Sequence, residues 1–504
     1  MEKLILLATT DVHGSVYAHS YADGSTLGLG LSRFSSAVKE YRSKGETLVL
    51  DNGDILQGTP LLTVANRTPH KHMLSQILNH IGYDAVNLGN HDFNFGHEVY
   101  RRYLRDLIAP CLTSNILDHE SPIGHSKLIR TASDKFVALI GVCTDYVPHW
   151  EKPAHIRNLT FLDPIETVKK EIARLRPYAD AVVVMYHGGL ERDPDSGSST
   201  ERPTGENVGY ELACLDGIDV LITGHQHRSF VAKINQTLVT QSTFNAKEFV
   251  EITIDFDQEE KCVARIIPMA TFKRDEAIEE IARPIEIETQ KWLDQPLGTV
   301  DGPSLKVDDS FLARLHKHPL VSFINQVQME VSHAQLSAVA LFNNTAGFNP
   351  DITMRDIVST YIYPNTLVVK QIDGKTLKEF LEKCAEYCSL RNNRILVNPQ
   401  YDEPKPQHFN YDMVDGVDYT INVSNPIGSR IQELRYKGKT VTEKDSFTIV
   451  MNNYRAVGGG DFMMIPSLPT VSEINRDMAE ILAETIQKHK RYRVVHHDNI
   501  TVIR

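Results

Sequence analysis

The chain has 504 residues, 41% of them hydrophobic and 23% charged, which fits a globular protein too long for one ordinary core, so two domains are expected. Its net charge of −12 argues against a nucleic-acid scaffold and leaves any anionic substrate in need of local positive charge, which bound metal ions can provide. Six scattered cysteines fit a reducing compartment, and no stretch approaches the roughly 20 apolar residues of a membrane helix, so a cytoplasmic protein with no membrane partner is expected.

Leu4 to Ala8 is too short for the apolar core of a signal sequence, has no small-residue cleavage site, and runs straight into Asp11-Val12-His13. It reads as the first buried strand. Further short apolar runs rich in β-branched residues are Thr47 to Leu50, Ala85 to Leu88, Val137 to Val142, Ala181 to Met185 and Val220 to Thr223. Helical periodicity lies between several of them, over Leu29 to Lys44, His70 to Ile81 and Pro164 to Leu175. This alternation predicts an α/β layered domain with ligands collected at the carboxyl ends of buried strands. Glu191 to Asn207 is polar and patternless, and reads as a rim segment over a site.

Strand pairing is expected to continue through Leu238 to Ser242 and Phe249 to Phe256. Asp275 to Leu293 reads as one charged helix, ended by Gln295-Pro296-Leu297-Gly298. The expected domains are therefore 1–274 and 297–504, with 275–296 as a linker helix or hinge. The second half has helical patterns at His318 to Ser332 and Lys375 to Ser389 among strand runs and Asn, Gly and Pro turns, which predicts an α+β domain. Cys384 and Cys388 are four apart within the second pattern and read as two small buried residues that could share a face.

Four of five polar signatures follow apolar runs directly: Asp11-Val12-His13, Gly53-Asp54, Gly89-Asn90-His91-Asp92, His187 and Gly224-His225-Gln226-His227. Asp11 and His13 alternate on a strand end, so both should point to one side. Asp54 has two carboxylate oxygens and can bridge two ions, although a helix N-cap is a rival reading of that residue alone. Asn90 offers a neutral carbonyl, and the adjacent His91 points elsewhere, suited to proton transfer. Imidazoles with carboxylates suit Mn, Fe or Zn better than Ca or Mg. Together Asp11, His13, Asp54, Asn90, His187, His225 and His227 are the ligand inventory of two divalent transition-metal ions. By contrast His70-Lys71-His72, His316-Lys317-His318 and His496-His497 lack carboxylate companions at strand ends and read as solvated surface.

In this order and spacing the signatures resemble the calcineurin-like metallophosphoesterases, and more closely the 5′-nucleotidase and 2′,3′-cyclic phosphodiesterase family. The resemblance spans essentially the whole chain. Phe409-Asn410-Tyr411-Asp412 with Gly416, and Asn452-Asn453-Tyr454-Arg455-Ala456 with Gly458-Gly459-Gly460, look like its C-terminal nucleotide-binding segments. It implies a four-layer N-terminal sandwich of two sheets flanked by helices, followed by an α+β nucleotide-binding domain. It further implies one metal on Asp11, His13, Asp54 and His227, and the other on Asp54, Asn90, His187 and His225. His91 would carry no metal, Phe409 and Tyr454 would sandwich the nucleobase, and Asn453 would bind substrate.

Two departures from the 5′-nucleotidase pattern select a branch. Where that pattern has an aspartate three residues after the catalytic histidine, this chain has Asn94; an amide can hold an imidazole but does not stabilise the imidazolium. Where it has an Asn-x-Gly-x-Ile-Arg segment, this chain has Asn343-Asn344-Thr345-Ala346-Gly347-Phe348-Asn349-Pro350, so the nearest cation is Arg355. Both point to the 2′,3′-cyclic-nucleotide 2′-phosphodiesterase/3′-nucleotidase branch, which Tyr361-Ile362-Tyr363-Pro364-Asn365-Thr366 also resembles. A cyclic ester carries one negative charge and asks less of an arginine clamp. The rivals are a 5′-nucleotidase or nucleotide-sugar hydrolase, and a catalytically inactive nucleotide-binding protein. The expected partner is a small nucleotide, with no nucleic acid and no obligatory protein partner.

Overall fold

Lys3–Thr9 forms the first strand, and its alternation builds the layers of the N-terminal half. Leu4, Leu6 and Ala8 enter one core, while Leu7 enters another on the opposite face. The structure, a computed structural model, describes residues 3–504 apart from 70, 201–203, 344, 364, 404–405 and 475. His70, Asn344 and Pro364 of the motifs above, and residues 201–203 of the polar loop, lie outside the described residues.

One sheet has the order Cys262–Pro268, Glu248–Asp255, Lys3–Thr9, Thr47–Asp51, Ala85–Val86. The other has the order Phe230–Ile234, Thr237–Gln241, Val220–Ile222, Ala181–His187, Phe136–Cys143, Lys127–Arg130. In the first sheet Lys3–Thr9, Thr47–Asp51 and Ala85–Val86 run parallel and the other two strands pair antiparallel; in the second the four middle strands run parallel and both edge strands antiparallel. Leu4, Leu6 and Ala8 share a core with Leu139, Val183 and Val220, so the sheets pack face to face. Helices Leu31–Arg42, Met73–Ile81 and His97–Asp106 cover the outer face of the first sheet through Phe34, Leu74 and Tyr103. Helix Pro164–Leu175 covers the second through Val168, started by the Asp163 carboxylate on the N–H groups of Ile165 and Glu166. The result is four layers, each internal face a row of fully buried aliphatic side chains worth about 2 kcal/mol apiece.

The chain divides into two compact units, Met1–Gln290 and Lys291–Arg504. The division falls inside helix Glu276–Leu293. Ile278 and Ala282 belong to the first unit's core, and Trp292 packs on the second's. In the second unit the main sheet runs Asp412–Asp415, Leu336–Ala340, Ser446–Asn452, Leu367–Asp373, Thr470–Ile474. Helices Pro319–Ser332, Gly374–Ala385 and Met478–His489 share its single core.

Three expectations change. The helix expected over Lys375 to Ser389 ends at Ala385, and Cys388 opens strand Cys388–Arg391, so Cys384 and Cys388 share no helix face. The turn Asn392-Asn393, with φ of 48° and 60°, closes a hairpin there, and hairpin chemistry overrides helical periodicity. His72 and Lys317 are buried rather than solvated. Lys317 is tied to Asp415, 98 residues away, and to the carbonyl of His497 at 2.8 Å, partners that no local pattern reveals.

Candidate metal centre

The signature residues gather where the strands end, but not by strand alternation. Asp11, His13, Asp54, His225 and His227 have φ of 53°, 50°, 57°, 66° and 56°. Each sits in the left-handed region, at a cost of about 1–3 kcal/mol, so the same-side placement of Asp11 and His13 comes from a turn rather than extended chain. Asp54 is likewise no helix cap, since the next helix starts at Pro60 with Thr59 as its cap. Backbone pairs hold these turns: Asp11 N–H on Gly53 O and His13 N–H on Asp54 O, both 2.9 Å, and Asn245 N–H on Asp11 O at 2.8 Å.

Beneath them lies a buried polar frame that sequence reasoning missed. The Asp92 carboxylate accepts from the N–H groups of Ile55, Leu56 and Gly89 at 2.8 Å and of Asp54 at 3.0 Å. Asn52 donates to Tyr186 O, and Asn87 donates to Asn52 Oδ1, Val142 O and Met185 O, joining strand ends of both sheets. The signal was present as uncharged amides beside ligand positions, in Asp51-Asn52-Gly53-Asp54 and Val86-Asn87-Leu88-Gly89. Gly89 is required by space: a Cβ there would lie 2.2 Å from Asp54 Oδ1 and 2.6 Å from His187 Cε1.

The donor atoms converge in two groups. Asp11, His13 and His227 form one, with His13 Nε2 3.1 Å from His227 Nε2, and His227 Nε2 3.3 Å from Asp11 Oδ1. Asp54, His187 and His225 form the other; His187 Nε2 lies 3.2 Å from Asp54 Oδ2 and 3.2 Å from Asn90 Oδ1, which is 2.9 Å from His225 Nδ1. His13 Nδ1 donates to Gln57 O at 2.8 Å and His187 Nδ1 to Asn52 O at 2.7 Å, so each ring aims its Nε2 inward. Lone pairs facing lone pairs at these distances repel unless positive charge lies among them. Asp54 Oδ2 is buried and accepts no hydrogen bond. The residues present therefore fit divalent cations.

The electrostatics agree. Burial opposes charge on His187, yet Asp54 and Asp11 outweigh it and push its pKa up to about 10. Burial likewise opposes ionisation of Asp54, but His187 and His91 hold it well below the usual carboxylate range. Burial works mainly downward on His13, keeping it below the ordinary histidine value despite Asp54. A cluster in which carboxylates stay ionised and favour a cation beside them is the field a metal requires.

Around this centre stand further groups. His91 Nδ1 bonds Asn94 Oδ1 at 2.7 Å, and Asn94 Nδ2 donates to Glu151 Oε2 at 2.6 Å. The loop from Glu191 to Asn207 reaches the centre through Glu206, whose Oε1 is 2.9 Å from His225 Nε2. Trp150 stacks on His225 with ring centroids 5.4 Å apart, and Phe244 stacks on His227 at 4.7 Å.

In the second unit, Ala340 pairs with Asp412, and Ser337 with Val450, which brings the start of Asp412–Asp415 and the end of Ser446–Asn452 to one end of strand Leu336–Ala340. Phe409 and Tyr454 meet there with centroids 6.2 Å apart at 71°, edge to face rather than as parallel plates. Gly459 lies against the Tyr454 ring, where a Cβ would come within 2.5 Å. Arg455 organises the pair: it bonds Asp412 at 2.5 Å and the Phe409 carbonyl at 3.1 Å, and lies over the Phe462 ring at 3.9 Å. It stood unassigned within the Asn452-to-Ala456 segment. Asn453 Oδ1 accepts from Thr366 N–H at 3.0 Å, so this side chain braces the neighbouring loop. Arg355 forms an ion pair with Asp294 at 2.6 Å.

Comparison with known proteins is consistent with this geometry. Residues 5–229 match the model of calcineurin-like phosphoesterases, and residues 296–467 that of the 5′-nucleotidase C-terminal domain. A solved structure from Staphylococcus aureus, described provisionally as a 5′-nucleotidase, in complex with alpha-ketoglutarate, is 33% identical with a TM-score of 0.91, covering 100% of both chains. The chain belongs to the 5′-nucleotidase family. It is therefore a hydrolase of the metallophosphoesterase class, a family that works with divalent metal ions. Curated relatives of this 5′-nucleotidase-family chain include proteins named 2′,3′-cyclic-nucleotide 2′-phosphodiesterase/3′-nucleotidase. The one from Salmonella typhimurium is 29% identical over 90% of this chain and 81% of its own. That from Haemophilus influenzae is 26% identical over 96% and 85%. Among the described residues, no helix is long and apolar enough to cross a membrane.

Proposed function

We propose that the chain is a 2′,3′-cyclic-nucleotide 2′-phosphodiesterase with 3′-nucleotidase activity, acting on small nucleotides in a reducing, cytoplasmic setting. The observation that carries the substrate choice is Asn94: a neutral amide, not a carboxylate, accepts from His91 at 2.7 Å. A monoanionic, strained cyclic ester is the substrate that asks least of such a site. The commitment of Arg355 to Asp294 and the names of the Salmonella and Haemophilus relatives support it. All six cysteines are free thiols, which suits the setting.

Asp11, His13, Asp54 and His227 would hold one cation, and Asp54, Asn90, His187 and His225 the other, with Mn, Fe or Zn matching the mixed imidazole and carboxylate donors. Such a pair supplies Lewis acidity towards the phosphoryl oxygens and an activated water at neutral pH. Asn90 orients the phosphoryl group. His91, its Nδ1–H held by Asn94 Oδ1, carries on Nε2 the second proton that it passes to the departing ribose oxygen. Phe409 and Tyr454 take the base on their faces, a sequence-tolerant grip, once their edge-to-face arrangement opens to parallel. We place any repositioning between the two hydrolyses in the segment 275–296.

Rates on 2′,3′-cyclic AMP, 3′-AMP and 5′-AMP, measured side by side with Mn²⁺ and again after chelation, test the reading. The cyclic substrate should be preferred, and chelation should abolish turnover on all three. The S. aureus relative's description favours the second reading, a 5′-nucleotidase, and a clear preference for 5′-AMP would establish it instead. Turnover of none of the three would point to a nucleotide-binding protein without catalysis.

A further inference from the structure

We propose that Glu151 is a positioning residue that fixes the amide orientation of Asn94, and through it the tautomer of His91. The inference rests on the reading of His91 as the proton-transfer group.

An asparagine can turn either end of its amide towards a neighbour, and the two choices select opposite tautomers of an imidazole. With Oδ1 facing His91, the ring must carry its permanent hydrogen on Nδ1, which leaves Nε2 to take up and pass on the transferred proton. With Nδ2 facing it, Nδ1 becomes the acceptor and the hydrogen moves to Nε2. Glu151 removes the choice. Its carboxylate only accepts hydrogen bonds, and Oε2 lies 2.6 Å from Asn94 Nδ2, so the NH2 end must face Glu151. Oδ1 is then committed to His91 Nδ1 at 2.7 Å.

Glu151 is itself locked. Its side chain is only 6% exposed, and Oε1 accepts from Lys152 N–H at 2.7 Å and from His155 Nδ1 at 2.8 Å. Both oxygens are engaged, so the carboxylate cannot turn Oε2 away from Asn94 without disturbing the two bonds of Oε1. The chain His91–Asn94–Glu151–His155 thus places a negative charge one amide behind the imidazole, where a directly bonded aspartate would otherwise stand. The arrangement polarises Asn94 towards His91 and answers how this site works without that aspartate.

A wrongly held tautomer costs serine proteases about four orders of magnitude in turnover. Here the amide retains both options when Glu151 is lost, so Glu151→Ala should lower kcat by roughly 10- to 100-fold, while KM and bound Mn²⁺ stay at parental values. Asn94→Asp alone should also fall, because two carboxylates would face each other with no donor between them. The exchange Glu151→Gln with Asn94→Asp moves the carboxylate forward and the amide back, restoring a donor between them. This double variant should recover most of the activity lost in Asn94→Asp. Imidazole ¹⁵N shifts of His91, assigned by their absence in His91→Ala, should show Nδ1–H in the parent and the exchange variant, and growth of Nε2–H in Glu151→Ala.

A purely structural Glu151 predicts no rescue by the exchange. If Glu151→Ala does not fold, Asn94→Asp against the exchange variant decides the matter alone. An exchange variant no more active than Asn94→Asp, or Glu151→Ala turning over at the parental rate, overturns the inference. A fully active His91→Ala overturns instead the reading beneath it.

Discussion

Single atoms decide this site. At Gly89 any side chain would occupy the space of Asp54 Oδ1 and His187 Cε1, so Gly89→Ala should displace both proposed ligands while leaving the sheets intact. We expect at least a tenfold loss of bound Mn²⁺ by elemental analysis, with an unchanged far-ultraviolet spectrum; a Gly89→Ala protein with parental metal content would contradict the placement. His91→Ala should retain its metal and lose about 10²- to 10⁴-fold in turnover. Tyr454→Ala, remote in sequence from every proposed ligand, should raise KM by about 10-fold or more, since a stacked base is worth roughly 1–3 kcal/mol, and should leave metal content alone.

At the level of elements, helix Met73–Ile81 carries a pH signature. His72 stands at its start, donating from Nε2 to Asn66 Oδ1 at 2.8 Å, with a buried Nδ1 that has no partner. Burial first, and the neighbouring Arg102 guanidinium second, push its pKa down to about 3. In the unfolded chain the same imidazole takes up a proton below about pH 6.5. Between these values the unfolded state binds a proton that the native state refuses, so this contribution is intact above pH 6.5 and is lost as pH falls towards 3. The slope is about 1.4 kcal/mol per pH unit. Urea midpoints between pH 6.5 and 4 should fall more steeply for the parent than for His72→Gln, which keeps a donor for Asn66; parallel curves would contradict the assignment.

The same scale shows what was legible in the sequence. Strands such as Ala181–His187 announce themselves because buried parallel strands need unbroken β-branched runs, and helix Pro164–Leu175 because Asp163 and Pro164 mark its start. The donors of the site were legible as residue types at strand ends. Their left-handed backbone was not, because nothing in Asp-Val-His distinguishes a turn from extended chain. Glu151 and Glu206 were invisible for another reason: both come from segments without periodicity and act on residues 57 and 19 positions away. Arg455 stood in view within its motif, but its role depends on Asp412, which only the sheet order brings near.

For the whole molecule, cations that bind only the folded state stabilise it by mass action, about 2.7 kcal/mol at a hundred times Kd. Chelation should therefore lower the melting temperature, and Mn²⁺ should restore it. The chain has two tryptophans, Trp150 and Trp292. In a Trp292→Phe variant, Trp150 on its stack with His225 becomes the sole indole reporter, and Mn²⁺ should change its emission saturably. The change should vanish on adding His225→Ala.

His13 and His227 lie 214 positions apart along the chain and 3.1 Å apart in space. A nascent polypeptide emerging from the ribosome therefore carries only half a cage until its first unit is nearly complete. No chain that stops short of His227 can capture a cation with native affinity, and metal cannot serve as a template for early folding. Metallation has to wait for that residue, so a product stalled before it is born inert.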